Sequence, residues 1–209
     1  MAITKTNILG GIGDVYIATQ GAALPGAIDT TTTTVASTDW TGSTWSGFGA
    51  KATGIELTYE PEFHDTIVQD VTGTIKKRLV GEKATVKFDL AEVAAANFAY
   101  AIAGLGSTSK TVTVGQTGQT ITKVGNYTAT EFSLAIQGTA PGTGVHRIYH
   151  FNTVVPTGSQ SIMQSKEDNQ KFTIELDVLA ANAASTSNPV YAAGELFRVI
   201  DITAVATTG

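Results

Sequence analysis

The feature that most constrains this sequence is a regular alternation of apolar and polar side chains over short segments. Residues 54–60, 84–90, 131–137 and 170–179 each place apolar side chains at every second position. A period of two puts those side chains on one face of a β-strand and the polar ones on the other. The chain is therefore predicted to be built mainly from half-buried, antiparallel strands.

Composition supports a β protein and excludes several functional classes. The 209 residues include 22 Gly, which suits turns, and even more Thr, which suits pleated strands. The absence of Cys excludes a disulfide scaffold, a cysteine-ligated zinc site and a thiol nucleophile. A net charge of −5 argues against a duplex-DNA binder that works by neutralising phosphates. The sequence also lacks the apolar run of a membrane helix and the pattern of a secretory signal, so no membrane partner is expected.

One segment changes period and predicts a helix over residues 91–103. Asp89 and Glu92 have the spacing of a capping box. Apolar residues then recur on one helical face, and Gly104 and Gly106 supply the stop. The face comprises Leu90, Ala94, Phe98, Ile102 and Leu105.

The remaining segments complete an all-β pattern around that helix. Five further strands are predicted, at residues 13–18, 71–80, 110–114, 145–154 and 196–202. The fold class predicted is mainly β: an antiparallel β-sandwich or barrel with one flanking α-helix. The whole chain, residues 1–209, is expected to form a single domain.

Three regions stand out from this regular pattern. Residues 1–12 are interpreted as an N-terminal arm, and residues 21–49, with a threonine run at 30–34, as a long irregular loop. Residues 54–80 are predicted to form an extended, charged hairpin. Within it, Pro61 should end a strand ladder or mark an edge strand, because proline cannot donate a ladder hydrogen bond.

We find no catalytic, cofactor-binding or metal-binding constellation in the sequence. His146 and His150 would lie roughly 13 Å apart along one strand, too far to share a metal, and are expected at a surface or subunit contact. Glu60 and Glu62 flank Pro61 without a visible pocket and are expected at a solvated or subunit-facing strand end. No cofactor and no enzymatic activity are therefore expected.

Two clusters have competing interpretations. Trp40 and Trp45 could form a platform for a sugar or peptide, although capping a core or contacting a neighbour is more usual. The cluster Lys76, Lys77 and Arg78 could suggest nucleic-acid binding. Neighbours in a strand point to opposite faces, however, so these side chains do not form one patch. A salt-bridge role between subunits is preferred.

In order along the chain, these pieces resemble a known family. A strand GDVYI follows a short arm, and a Trp-rich segment leads into GIELTYEPEF. The stretch DVTGTIKKRLVGEKATVKFDLAEVAAANFAYAIAG then runs from a charged hairpin through a strand into an Ala-rich segment, and VVPTGSQSIMQSKEDNQKFTIELDVL follows later. This order resembles the major tail (tail tube) proteins of long-tailed bacteriophages and of related gene transfer agents.

The resemblance implies a structural virion protein that assembles in the host cytoplasm. Six copies would form a ring, and rings would stack into a hollow tail tube through which DNA passes without sequence-specific binding. The implied partners are other copies of the chain, the tape-measure protein, and the tail terminator and tail-tip proteins.

The resemblance also suggests roles for particular side chains. Residues that could face the bore and repel DNA phosphate are Glu56, Glu60, Glu175 and Asp177. Candidates for contacts between rings are Glu62, Phe63, His64, Asp65 and Asp70, and candidates for the subunit interface are Lys76, Lys77 and Arg78. Lys87 is also assigned to an interface, because a wholly acidic wall would not contain it.

The alternative function is a surface or adhesin-like β-domain that binds carbohydrate or protein. It would use Trp40, Trp45 and the loops near them.

Overall fold

A computed structural model gives the fold of the chain in segments. It describes residues 13–25, 40, 44–49, 54–67, 74–91, 107–109, 120–122, 131–139, 144–157, 172–181 and 191–203. Every regular element in these segments is a β-strand. Four predicted features lie outside the described residues: the arm at 1–12, the threonine run at 30–34, the strand at 110–114 and the helix from residue 92 onward.

The described strands are numbered in chain order. They are β1 (Asp14–Thr19), β2 (Ser46–Gly47), β3 (Glu56–Ile67), β4 (Thr74–Leu90), β5 (Ser107–Ser109), β6 (Thr120–Thr122), β7 (Phe132–Gly138), β8 (Gly144–Pro156), β9 (Phe172–Val178) and β10 (Phe197–Thr203). Each described pair of neighbouring strands is antiparallel, which confirms the mainly β, antiparallel prediction.

Eight strands belong to one hydrogen-bonded sheet. Its order is β2-β1-β7-β8-β9-β4-β3, with β10 paired to β8 beside this path. The strands β5 and β6 form a separate pair. The sequence pattern did not predict β2, β5 or β6, because each has only two or three residues and is too short to show a period.

Strand β8 changes its partner midway. Its residues opposite β7 run from Arg147 to Val154, so β7 covers one edge. Along the other edge, β8 pairs with β10 through Phe151 and then with β9 from Val154. A single strand therefore joins the β1-β7-β10 part of the sheet to the β9-β4-β3 part.

The main core takes side chains from both of these parts. It takes alternate apolar side chains from β4 and β9, such as Phe88 and Ile174, and others from β1 and β7, such as Val15 and Leu134. Phe48 is fully buried and contacts Phe88 edge to face, with 5.7 Å between ring centroids. The alternation read from residues 84–90 and 170–179 thus corresponds to burial on one face.

The hairpin of β3 and β4 is longer than the sequence suggested. Residues 71–80 and 84–90 were expected as two strands, but β4 is continuous from Thr74 to Leu90. The ladder of β3 also continues past Pro61 as far as Ile67. Among the described strands, β3 pairs with β4 alone and is therefore an edge strand. An edge strand can accommodate Pro61, because one side of it has no ladder that needs the missing proline N–H.

The core assignment predicts a large loss of stability for Phe88→Ala. Phe88 is 2% exposed, and a buried Phe→Ala change costs about 3–5 kcal/mol through lost contacts and a residual cavity. Val80→Ala, at a position 55% exposed, should cost less than about 1 kcal/mol. Urea unfolding of the monomeric variants checks both values, and equal midpoints would contradict the position of the core.

Candidate functional site

The β3-β4 hairpin carries most of the large apolar side chains that the described residues expose. Tyr59 is 46% exposed, Phe63 52%, Leu79 42% and Val80 55%. The fifth is Val199 on β10, which is 47% exposed. Because scattered single apolar residues are normal on a surface, the concentration on one hairpin is the informative observation.

A β-bulge helps to create this apolar group. Glu62 pairs with Gly81 and Phe63 pairs with Leu79, so Val80 is an extra residue between the two pairs. A bulge bends a strand and re-aims its side chains. Leu79 and Val80 were not singled out from the sequence. The nearby Gly81, inside a strand pattern, was the available signal of a bulge.

Beyond the bulge, charged residues face one another across the hairpin. Asp65 pairs with Lys77 in the ladder, and their side chains form an ion pair with 3.5 Å between Nζ and Oδ1. His64 pairs with Arg78. Exposed pairs of this kind contribute only about 0–1 kcal/mol to stability, so this ion pair adds little to the folding of the hairpin.

The predicted ring-contact and interface residues thus belong to one hairpin. Glu62, Phe63, His64 and Asp65 lie on exposed positions of β3. Lys76, Lys77 and Arg78 lie on exposed positions of β4, where Lys77 pairs with Asp65, Arg78 with His64 and Lys76 with Thr66. Asp70 falls outside the described residues.

The four residues predicted to face a bore lie on neighbouring strands. Glu56 of β3 pairs with Lys87 of β4, which in turn pairs with Glu175 of β9. The three side chains therefore form one row across three strands. Lys87, which had been assigned to an interface because of its charge, lies between two of the acidic candidates.

Lys83, the second lysine on this face of β4, also lies between carboxylates of β3 and β9. Lys83 pairs with Glu60 across the β3-β4 ladder, and its ammonium group lies 3.7 Å from a carboxylate oxygen of Asp177 on β9. The polar face of β3, β4 and β9 is therefore a mixed surface, with lysines on the central strand and carboxylates on both sides. The acidic candidates therefore share their face with Lys83 and Lys87.

Trp40 and Trp45 are buried, which argues against their use as an exposed binding platform. They are 8% and 4% exposed and belong to a second apolar cluster. The indole N–H of Trp45 donates to the carbonyl of Ala23 at 2.8 Å, and that of Trp40 donates to Gln137. The interpretation that these rings cap a core is confirmed.

The second cluster covers a row of residues that spans four strands. Tyr16, Ala135, His150 and Arg198 are in register across β1, β7, β8 and β10. Trp40 stacks on Tyr16 with 4.1 Å between centroids, and Trp45 meets the ring of His150 at 5.6 Å. The small side chain of Ala135 lies between these two ends.

His150 is buried, contrary to the expectation of a surface or subunit position. It is 1% exposed, and its Nδ1 lies 2.8 Å from the hydroxyl of Tyr191, which is itself fully buried. His146 is half-buried, with Nδ1 3.4 Å from the amide nitrogen of Gln137. Alternation placed both histidines on one face, but it could not show that Trp45 and Tyr191 cover that face at His150.

The described residues contain neither a metal-ion cluster nor a helix that could span a membrane. No group of three or more His, Asp or Glu side chains there could hold a metal ion. In the same part of the chain, no helix is long and apolar enough to cross a membrane.

The site is thus an exposed apolar and charged hairpin on an antiparallel sheet. Comparison with family models matches residues 1–190 to the phage tail tube protein family. The chain belongs to that family. The resemblance read from the order of its elements is confirmed. A search of curated proteins gives no match.

Family membership defines the general role of the chain. Tail tube proteins are structural components of the phage tail, so the chain is a structural tail protein of the virion that works with copies of itself and with other tail components. The family is one of structural proteins, which points away from an enzyme.

The buried position of Trp45 predicts a structural rather than a ligand-binding defect for Trp45→Ala. Removing a buried indole should cost about 3–5 kcal/mol of unfolding free energy. Trp45→Phe keeps a ring against His150 but loses the hydrogen bond to Ala23, and should cost less than Trp45→Ala. Urea unfolding gives both values. A Trp45→Ala protein as stable as the wild type would show that the ring is not part of the core.

Proposed function

We propose that the chain is the subunit of a hollow tail tube, in which rings of six copies stack and enclose a channel for DNA. The tape-measure protein would occupy the tube before ejection, and the terminator and tail-tip proteins would bind its ends. Assembly would take place in the host cytoplasm. The observation that carries the proposal is the concentration of exposed apolar side chains on the β3-β4 hairpin of a tail tube family member.

The hairpin has the surface chemistry of a contact between copies. Phe63 and Leu79 are paired across the ladder and each is about half exposed, so their apolar area remains in water in the single chain. Burying that area against another copy would be favourable at about 25 cal/mol per Å². The charged neighbours Asp65 and Lys77 would then set the register of the contact more than its strength.

Open strand edges provide a second route to assembly. Among the described strands, β3 pairs with β4 alone and β10 pairs with β8 alone. Unpaired edges are liabilities that proteins normally cover, and pairing with another copy covers them. Head-to-tail contacts of this kind close into a ring when the rotation between copies allows it.

The polar face of β3, β4 and β9 is suited to line the channel. Its acidic candidates, Glu56, Glu60, Glu175 and Asp177, outnumber the lysines Lys83 and Lys87 that lie among them. The lysines are compensated by their own neighbours and so offer little charge to DNA. The excess of carboxylates would repel phosphate over about one Debye length, ~8 Å at physiological salt.

We infer that the sheet folds into two layers, as a β-sandwich. Strand β8 supplies the turn from one layer to the other, because it pairs with β10 and then with β9 along one edge. Contacts across the core support this arrangement: Phe48 meets Phe88, and Tyr59 of β3 meets Phe197 of β10 with 6.3 Å between centroids.

The proposal predicts that Phe63→Ser combined with Leu79→Ser blocks assembly without unfolding the subunit. Both side chains are exposed in the single chain, so the monomer should lose less than about 1 kcal/mol of stability. The variant should sediment as a monomer at concentrations at which the wild type forms rings or tubes in electron micrographs.

A conservative pair at the same positions is the matched control. Phe63→Leu combined with Leu79→Ile retains the apolar character and should still assemble, with at most a modest shift in concentration. Tubes formed by the serine variant at the wild-type concentration would remove the hairpin from the account.

A further inference from the structure

The contact between His150 and Tyr191 places a proton on Nδ1 of the histidine. The Tyr191 hydroxyl donates its only hydrogen to the backbone carbonyl of His150. The contact of 2.8 Å between that hydroxyl and Nδ1 must therefore be a hydrogen bond donated by Nδ1–H. Nδ1 of His150 therefore carries a proton, and the imidazole is neutral as long as Nε2 keeps its lone pair.

The Nε2 atom lies in a place that does not accept a proton. It is buried and has no hydrogen-bond partner among the described residues. The ring of Trp45 lies against the imidazole at 5.6 Å. A proton on Nε2 would create a buried cation whose new N–H has no acceptor among the described residues, which is costly.

The cation already present nearby increases this cost. Arg198 is in register with His150 on the adjacent strand β10, and its guanidinium lies 5.2 Å from the ring centroid of Tyr191. Glu195 pairs with Arg198 through two hydrogen bonds and also accepts one from the backbone of Ala192. While His150 is neutral, the charges of Arg198 and Glu195 balance each other. Protonation of His150 would add a second cation without a carboxylate of its own.

Other titratable groups around the ring are few. Tyr191 and Glu195 belong to the segment before β10, Arg198 to β10, His146 to β8 itself and Tyr16 to β1. From β7, the row contributes Ala135, which has no charge. Among the described groups around His150, Glu195 is the carboxylate, and it is already engaged by Arg198.

We propose that His150, Tyr191 and Arg198 form an acid-released lock that holds the 191–196 segment and β10 on the sheet. The lock is closed while His150 is neutral, because Nδ1–H and the carbonyl of His150 both bind the Tyr191 hydroxyl. It opens when a proton is taken up by His150, because the imidazolium is stable only where water can reach Nε2. This inference concerns the single chain and does not depend on tube assembly.

The direction of the pH effect follows from the pKa of His150. Burial, and then the charge of Arg198, lower the pKa of His150 from 6.5 to about 3. Between these values the open state binds a proton that the closed state does not, so opening is favoured as the pH falls. The lock is fully stable above about pH 6.5, and its stability decreases steadily below that value.

Hydrogen exchange of the wild-type chain tests the lock. After correction for intrinsic rates, amides of β10 should exchange up to about 100-fold faster at about pH 4.5 than at about pH 7, because each unit below the unfolded pKa favours opening tenfold. At both pH values they should also exchange faster than amides of β9. Equal protection of β10 and β9 at the lower pH would show that no separate lock opens.

His150→Gln is the matched variant. A glutamine can offer an N–H to Tyr191 and does not titrate, so exchange in β10 should lose its dependence on pH over this range. An unchanged dependence in the variant would overturn the assignment to His150. If the variant does not fold, nitrogen NMR of the wild-type side chain decides: a neutral Nδ1–H tautomer at about pH 5.5 supports the lock, and an Nε2–H tautomer or an imidazolium contradicts it.

Discussion

The division of β8 between two partners is the constraint on which the rest of the structure depends. Because β8 pairs with β10 over its first part and with β9 over its last residues, it brings two parts of one sheet against a common core. That core takes alternate residues from β4 and β9 and others from β1 and β7. The β3-β4 hairpin is anchored at this core by Phe88 and its neighbours, while its far end extends beyond the core with Phe63 and Leu79 exposed.

The burial pattern explains why some features could be predicted from the sequence and others could not. Alternation identified the buried faces of β4 and β9, because a period of two depends only on local backbone geometry. In β7 it identified one face, but Ser133 and Ala135 on the other face are buried as well. It missed the continuity of β4 through the bulge at Val80, where local pattern is interrupted but pairing with β3 continues. Pro61 indicated either the end of a strand or a position on an edge strand. The strand order shows that β3 is an edge strand, which the sequence alone could not establish.

The candidate site was predicted in part for the same reason. The charges of the hairpin and their strand context could be read from the sequence, but their neighbours across the sheet could not. Lys83 and Lys87 lie among the acidic candidates because β4 is the middle strand of three, which is a property of topology. The burial of His150 likewise depends on Trp45 and Tyr191, which are distant in sequence and come together only in the fold.

The subunit has parts with different chemistry: a buried aromatic row, a polar face with more carboxylates than lysines, and an apolar hairpin end. The central claim is that the hairpin end contacts another copy. A cryo-electron microscopy reconstruction of the wild-type assembly tests this most directly. The account predicts closed rings in which Phe63 and Leu79 of each copy are buried against a neighbouring copy, with the face carrying Glu56 and Glu175 toward the channel. Rings in which Phe63 and Leu79 remain in solvent would contradict it.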